Sequence, residues 1–454
     1  MNKTIAAIST PVGTGGISVI RVSGEDAINI ADKVFKSVGG KTLSAMKGYT
    51  AAFGKIFYDG EMIDEAVATV FLAPHSYTGE NVVELSCHGG IYVSNQVLRA
   101  ILGSGAVLAE AGEFTKRAFL NGKIDLTESE AVMDIISAKG RAAARSALTV
   151  KEGRLRKEID DVRTQLVDMA AHLSAWADYP EEDIPEVSES ALAENLDSSV
   201  YKLEKLIKGY DVGKVVKEGI DTIIVGKPNV GKSTLMNLLA GCEKSIVTDI
   251  PGTTRDIIQE SVILGNVILL LSDTAGLRDT DNPVEKIGVD RARERISTSG
   301  LVLAVFDGSR QLDDDDLNML ELIKDMPSIA VINKTDLDNI IDVEYIKGRV
   351  SNVVYTAASQ RKGLDDLTKA VEKITGAAEF DENAAVISNE RQRSCAVSAL
   401  QSLREAIATL NSGMTLDAVT VSLDEAIQAL LELTGERASE VVVHSVFSKF
   451  CVGK

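Results

Sequence analysis

The run GKPNVGKST, Gly226–Thr234, follows the apolar IDTIIV and precedes LMNLLAG. A G-x-x-x-x-G-K-[ST] pattern between a strand and a helix dictates a tight turn whose backbone N–H groups converge on an anion at a helix N-terminus. Read this way, Lys232 reaches the β and γ oxygens of a nucleotide and Ser233 ligates Mg²⁺, while Asn229, Val230, Gly231 and Thr234 complete the cradle.

The base is chosen by VINKTD, 331–336, again at the end of an apolar run. Asp336 can accept two hydrogen bonds from the N1–H and exocyclic amine of guanine, whereas adenine has no N1 proton and leaves a buried carboxylate partly unpaired. The chain is therefore expected to prefer GTP to ATP, with Asn333 and Lys334 in the same contact block. Between these blocks, Thr248, Asp249, Ile250, Pro251, Gly252 and Thr253 lead to Thr254, which can ligate Mg²⁺ when a γ-phosphate is present. Asp273, Thr274, Ala275 and Gly276 form a DTAG block with Asp273 placed for the metal's outer shell. The order and spacing of the four blocks predict a Ras-like G domain. Two positions depart from that pattern. Ala357 stands where many GTPases have serine, and DTAG is followed by Leu277 where Ras-like switches carry a water-orienting glutamine. Leucine can neither donate nor accept, so hydrolysis is either absent or uses another residue.

With 454 residues the chain exceeds one core and predicts roughly two to four domains. At 45% hydrophobic and 25% charged it has ordinary globular composition. No secretory h-region and no run of about 18 apolar residues is evident, which reads as a cytoplasmic protein without a membrane span. Cys87, Cys242, Cys395 and Cys451 lie far apart with no C-x-x-C, so neither a disulfide framework nor a zinc cage is indicated. The ending CVGK does not make a prenylation box, because Lys454 fits none of the usual last residues. A formal charge of −19 excludes a protein that coats nucleic acid indiscriminately. Any RNA contact must use a local patch. The stretch 139–163 offers one, with Lys139, Arg141, Arg145, Lys151, Arg154, Arg156, Lys157 and Arg163, although the same cations also read as a solvated helix face.

Short β-like runs (GISVIRVSG, EAVATVFLA, NVVELSC) mixed with the helical VSNQVLRAIL predict an α+β domain over 1–118. From there to 217 the pattern is helical. Leu155, Ile159, Val162, Leu166, Met169, Leu173 and Trp176 recur at spacings of four and three, YPEEDIPEVSES breaks the helix, and a shorter helix follows to about Leu206. Alternating strands and helices fill 218–376, and 377–454 is helical again, with Leu400, Leu403, Ile407 and Leu410 on one face. The expected fold is a multidomain α/β chain: an N-terminal α+β domain, a central helical bundle domain, and the P-loop G domain inserted into that bundle.

The chain resembles the MnmE (TrmE) family of tRNA-modification GTPases along its whole length. The resemblance rests on GTGGISVIRVSG, YTGENVVELSCHGG, GEFTKRAFLNGKIDL, the GTPase blocks with GTTRD, and the ending FSKFCVGK, where Val452 replaces the family's usual isoleucine. It implies hydrolysis activated by K⁺-dependent dimerisation of the G domains, with Asn229, Thr248, Ile250 and Thr253 as K⁺ ligands and Glu285, twelve residues beyond Asp273, positioning the water. Leu277 is then expected. It implies a 5-formyl- or 5,10-methylene-tetrahydrofolate site formed by Arg21, Glu84, Lys123 and Lys454, with Cys451 as a candidate nucleophile or acid. Taken without the family, Arg21, Glu84 and Lys123 each read first as a surface or structural charge, and Cys451 as a small buried hydrophobe. His88, beside Gly89 and Gly90, reads as a structural turn. The resemblance also implies a homodimer formed through the N-terminal domains and an FAD-dependent MnmG (GidA) family partner. The joint product would be an aminomethyl or carboxymethylaminomethyl group at C5 of the tRNA wobble uridine, position 34. Two other readings are a ribosome-assembly GTPase, which usually carries a basic appendage, and a folate-sensing regulatory GTPase.

Overall fold

The computed structural model describes residues 3–178, 188–241, 260–271, 295–412 and 414–454. The chain divides into two compact units: Met1–Met133 with Ile159–Ser174 and Thr420–Lys454, and Asp134–Glu158 with Ala175–Val419.

The first unit is built on a sheet of seven strands among the described residues: β1 Ile5–Ile8, β2 Ile17–Ser23, β3 Phe35–Ser37, β4 Thr50–Tyr58, β5 Glu61–Phe71, β6 Val82–His88 and β7 Val107–Leu108, in the order β3-β4-β5-β6-β2-β1-β7. Pairing is antiparallel except between β1 and β7. Side chains alternate across a strand, so Ile20 and Val22 of β2 and Val83 and Leu85 of β6 enter the core beneath the helices Ala27–Val34 and Ile91–Gly103. Arg21 and Glu84, the intervening residues, then share the opposite face, directly paired in register. On that side Ile5, Ala7, Ala109 and Phe114 form a small cluster. A further cluster joins Leu126 to Val443, Val446, Phe447 and Phe450 of the C-terminal segment.

The second unit carries a six-stranded sheet among the described residues: β8 Ile220–Val225, β9 Glu260–Leu264, β10 Val267–Leu271, β11 Leu301–Asp307, β12 Ser328–Asn333 and β13 Asn352–Tyr355, ordered β13-β12-β11-β8-β10-β9. All pairs are parallel except β9 with β10. β11 and β12 are buried along their whole length, as expected of parallel strands covered on both faces. Leu301, Leu303 and Val305 face one core while Val302, Ala304 and Phe306 face the other. The strand order reverses between β8 and β11, and the carboxyl ends there open the crevice in which open α/β sheets bind ligands.

The seam positions Leu155, Ile159, Val162, Leu166 and Leu173 are buried in a helix Arg154–Asp178, whereas Trp176 at its end is 39% exposed. The helix expected to stop near Leu206 instead spans Glu189–Glu218. Its two interior glycines do not break it. A Cβ at Gly213 would lie 2.8 Å from Val386 Cγ1, so this glycine admits a close neighbour, and the stop is Gly219, at φ +90°. Lys217 pins the last turn through a hydrogen bond to Ser388 O (2.9 Å) and an ion pair with Asp134 (2.7 Å). No helix among the described residues is long and apolar enough to cross a membrane.

Candidate functional site

The loop after β8 has the backbone its sequence demands. Gly226 (φ +152°) passes so close to β11 that a Cβ would meet Val305 O at 2.5 Å. Asn229 is left-handed (φ +63°), and Gly231 (φ +100°) caps the helix Lys232–Ala240, where a Cβ would strike Asn333 Nδ2 at 2.2 Å. A side chain at either glycine would push the loop off its strands. Lys232 folds back over the loop, its Nζ donating to Gly226 O (2.7 Å) and Lys227 O (2.8 Å). Ser233 and Thr234 are exposed in the first helical turn and Val230 is buried beneath it. Neighbouring Lys227 pairs instead with Asp313, whose carboxyl that ammonium lowers to about 2.

Asn333 ends β12 and is 3% exposed. Its Nδ2 donates to Val230 O (2.9 Å), while Oδ1 accepts from Thr356 Oγ1 and Ala358 N, both at 3.1 Å. One buried amide thus ties the phosphate loop to the loop after β13. Because that loop is read through the Ala358 N–H, Ala357 in place of serine removes a hydroxyl and leaves the tie intact. Lys334 (φ +63°) pairs with Asp307 at the end of β11 (2.6 Å). Burial works to raise the Asp307 carboxyl, but the Lys334 ammonium and the Ser309 N–H and hydroxyl outweigh it and hold it below its ordinary range. Asp307 was missed in the sequence, where its signal was an apolar run ending in FDGS. Asp336 is exposed beyond β12 rather than buried, as the sequence reading had it.

Thr248, Asp249, Ile250, Pro251, Gly252, Thr253, Thr254, Asp273, Thr274, Ala275, Gly276 and Glu285, with Leu277, lie outside the described residues.

In the first unit the sheet face opposite the helices gathers a second constellation. Arg21 Nε donates to Glu84 Oε1 (2.8 Å), and its Nη1 reaches Gly453 O (3.3 Å). The guanidinium lies 5.4 Å from the ring centroid of Tyr77 and 5.6 Å from that of Phe114. The C-terminal segment is seated by backbone bonds: Val452 bridges Ala111, Gly112 N donates to Cys451 O (3.4 Å) and Phe114 N to Lys454 O (3.1 Å). Cys451 is exposed rather than buried, and Lys454 is half-buried. Three of the expected ligand positions are therefore neighbours. Lys123 is exposed and donates to Pro74 O (3.1 Å), on the loop that also carries Tyr77.

A family model described as the MnmE helical domain matches residues 126–451, across the inserted sheet block, and one described as the GTP-binding protein TrmE N-terminus matches 4–123. A tRNA modification GTPase MnmE of Bacillus velezensis is 42% identical over 458 residues, covering 99% of this chain and 100% of the relative. One from Acetivibrio thermocellus is 40% identical with 99% of both covered. The chain belongs to the MnmE family of tRNA modification GTPases. The G domain of the T. maritima FeoB iron transporter aligns over 34% of this chain and 98% of that one, with 24% identity and a TM-score of 0.26.

As an MnmE family member carrying the phosphate loop and guanine block described above, the chain is a GTP hydrolase. Its basic stretch is largely solvent-facing: Lys139, Arg141, Lys151, Arg154, Arg156 and Lys157 are exposed, as is Arg145, which binds Asn383, whereas half-buried Arg163 pairs with Asp160 and Glu436. His88 ends β6, its Nδ1 2.7 Å from Asp64 Oδ1, and that hydrogen bond raises its pKa. Its own N–H also binds Asp64 (2.8 Å), and the residue is the last of the strand, paired with Ile17, rather than part of a turn. Cys87 is buried, which pushes its thiol up to about 11 and makes it a poor nucleophile.

Proposed function

We propose that this chain is a K⁺-activated GTPase that works with an FAD-dependent MnmG (GidA) family protein in the cytoplasm. Together they install the aminomethyl or carboxymethylaminomethyl group at C5 of the wobble uridine of certain tRNAs, drawing on a tetrahydrofolate one-carbon unit. The observation that carries the reading is one chain holding both a phosphate-loop backbone tied to Asn333 and, in a separate unit, a carboxylate–guanidinium pair bonded to Gly453 of the tail that carries an exposed cysteine. Oε2 of Glu84, whose Oε1 is held by Arg21, accepts a pterin N–H, Arg21 or Lys123 supplies a cationic contact for the folate's glutamate tail, and Lys454 completes the ligand set. Ser233 and Thr254 ligate Mg²⁺. K⁺ takes Asn229, Thr248, Ile250 and Thr253, and supplies positive charge beside the transferring phosphoryl group. The N-terminal domains pair in a homodimer.

The test is nucleoside mass spectrometry of total tRNA from a strain lacking this gene. Complete loss of the C5-modified wobble uridines, restored by the wild type and not by Glu285→Ala, is expected. Their persistence in the deletion strain would overturn the assignment and favour ribosome assembly or folate sensing.

The basic stretch is the proposed tRNA surface. Replacing Arg154, Arg156 and Lys157 by alanine is expected to weaken tRNA binding roughly tenfold or more and flatten its salt dependence, since each lost phosphate contact removes about one counterion from the slope. Unchanged binding would rule the patch out.

A further inference from the structure

Gly453 is the point at which the C-terminal segment touches β1 and β2. Its φ is +95°, and a Cβ there would meet Ile8 O at 2.4 Å and Ser9 Cα at 2.9 Å. Only glycine lets the chain approach this closely. The close approach brings Gly453 O within reach of two donors from different strands, the hydroxyl of Ser9 (3.0 Å) just beyond β1 and Nη1 of Arg21 (3.3 Å) in β2. Arg21 is itself braced. Glu84 holds Nε, and the rings of Tyr77 and Phe114 flank the guanidinium. Tyr77 is held in turn by a hydrogen bond between its hydroxyl and Oγ1 of fully buried Thr115 (2.8 Å). One carbonyl therefore links the tail to the same arginine that carries Glu84.

We propose that Ser9 and Tyr77 are positioning residues for the one-carbon site. Ser9 acts as the second donor to Gly453 O, and Tyr77 keeps the Arg21 guanidinium in the plane that serves Glu84 and Gly453 together. Neither need touch the ligand. Both act by holding the turn that presents Cys451 and Lys454 next to the Arg21–Glu84 pair. Seating of the tail and binding of a folate are then coupled through Arg21, and each strengthens the other reciprocally. The part concerning folate rests on the function proposed above. The part concerning the tail does not.

The experiment uses the full chain with Ser9→Ala, Ser9→Thr, Tyr77→Ala and Tyr77→Phe. The first readout is hydrogen exchange of a peptide covering Gly112 and Phe114, whose N–H groups donate to Cys451 O and Lys454 O and so report whether the tail is seated. The second is calorimetric affinity for 5-formyltetrahydrofolate. Loss of one hydrogen bond predicts exchange about fivefold faster in Ser9→Ala and affinity weaker by a similar factor, with Ser9→Thr restoring both. Tyr77→Ala is expected to lose more than Tyr77→Phe, which keeps the ring over the guanidinium. Unchanged exchange in both alanine variants would overturn the positioning role. Faster exchange with unchanged folate affinity would overturn the coupling. If the wild type binds no folate, the proposed one-carbon reading fails while the exchange data still decide the tail.

Discussion

Changing Asp336 to asparagine is expected to turn the chain from a GTPase into a xanthosine-triphosphatase. In the proposed base contact the carboxylate accepts from the N1–H and the 2-amino group of guanine. An asparagine amide can accept from N1–H but presents its NH₂ to another NH₂, so one favourable pair becomes two unsatisfied donors beneath a base that excludes water. Losing a charge-assisted pair and leaving polar groups unpaired predicts a loss of GTP affinity of roughly 10²- to 10⁴-fold. Xanthine carries an oxygen at position 2, which the same NH₂ can serve, so most of the affinity should return with XTP. Asp336 is exposed and bonds nothing that the fold needs, whereas Asn333 three residues earlier holds Val230, Thr356 and Ala358. The variant should therefore melt like the wild type, while Asn333→Ala should not. Competition titrations with GTP, XTP and ATP decide it. Undiminished GTP affinity would remove Asp336 from the base contact.

The backbone of the phosphate loop was legible because its signals are local. A glycine pattern of nine residues and a four-residue block each specify their own turn, and burial of β11 and β12 follows from unbroken apolar runs. What joins those blocks was not legible. The Asn333 amide meets Val230 across 103 residues of sequence, and no periodicity records that distance. The same holds for the tail: Ser9 to Gly453 and Arg21 to Gly453 span 444 and 432 residues. Arg21 and Glu84 could be carried over as a pair by resemblance, yet Tyr77 was invisible as their neighbour because its place is set by a loop anchored on Thr115. The helix through Gly209 and Gly213 shows the opposite error. Glycine weakens an isolated helix by about 1 kcal/mol, and tertiary packing of Leu203, Leu206, Tyr210 and Val216 overrides that preference.

Turnover in KCl is expected to exceed that in NaCl at equal ionic strength, and Glu285→Ala is expected to lower turnover in either salt. Leu277 leaves the position after DTAG unable to orient water. A GTPase built this way has to recover two contributions: placement of the nucleophile, and positive charge near the γ-phosphoryl oxygens as the leaving group departs. Glu285 is the proposed source of the first and a monovalent cation at Asn229 of the second. Asn229 is exposed in the phosphate loop, with a left-handed backbone. Removing a water-positioning carboxylate lowers turnover by roughly 10²- to 10⁴-fold, and withdrawing a preorganised charge costs about 10²-fold. Neither change should alter GTP affinity much, because both contributions develop only in the transition state. Steady-state rates with separately measured nucleotide affinities distinguish the cases. Equal rates in the two salts would sink the K⁺ assignment, and a Glu285→Ala enzyme with wild-type turnover would return the question posed by Leu277 to another residue.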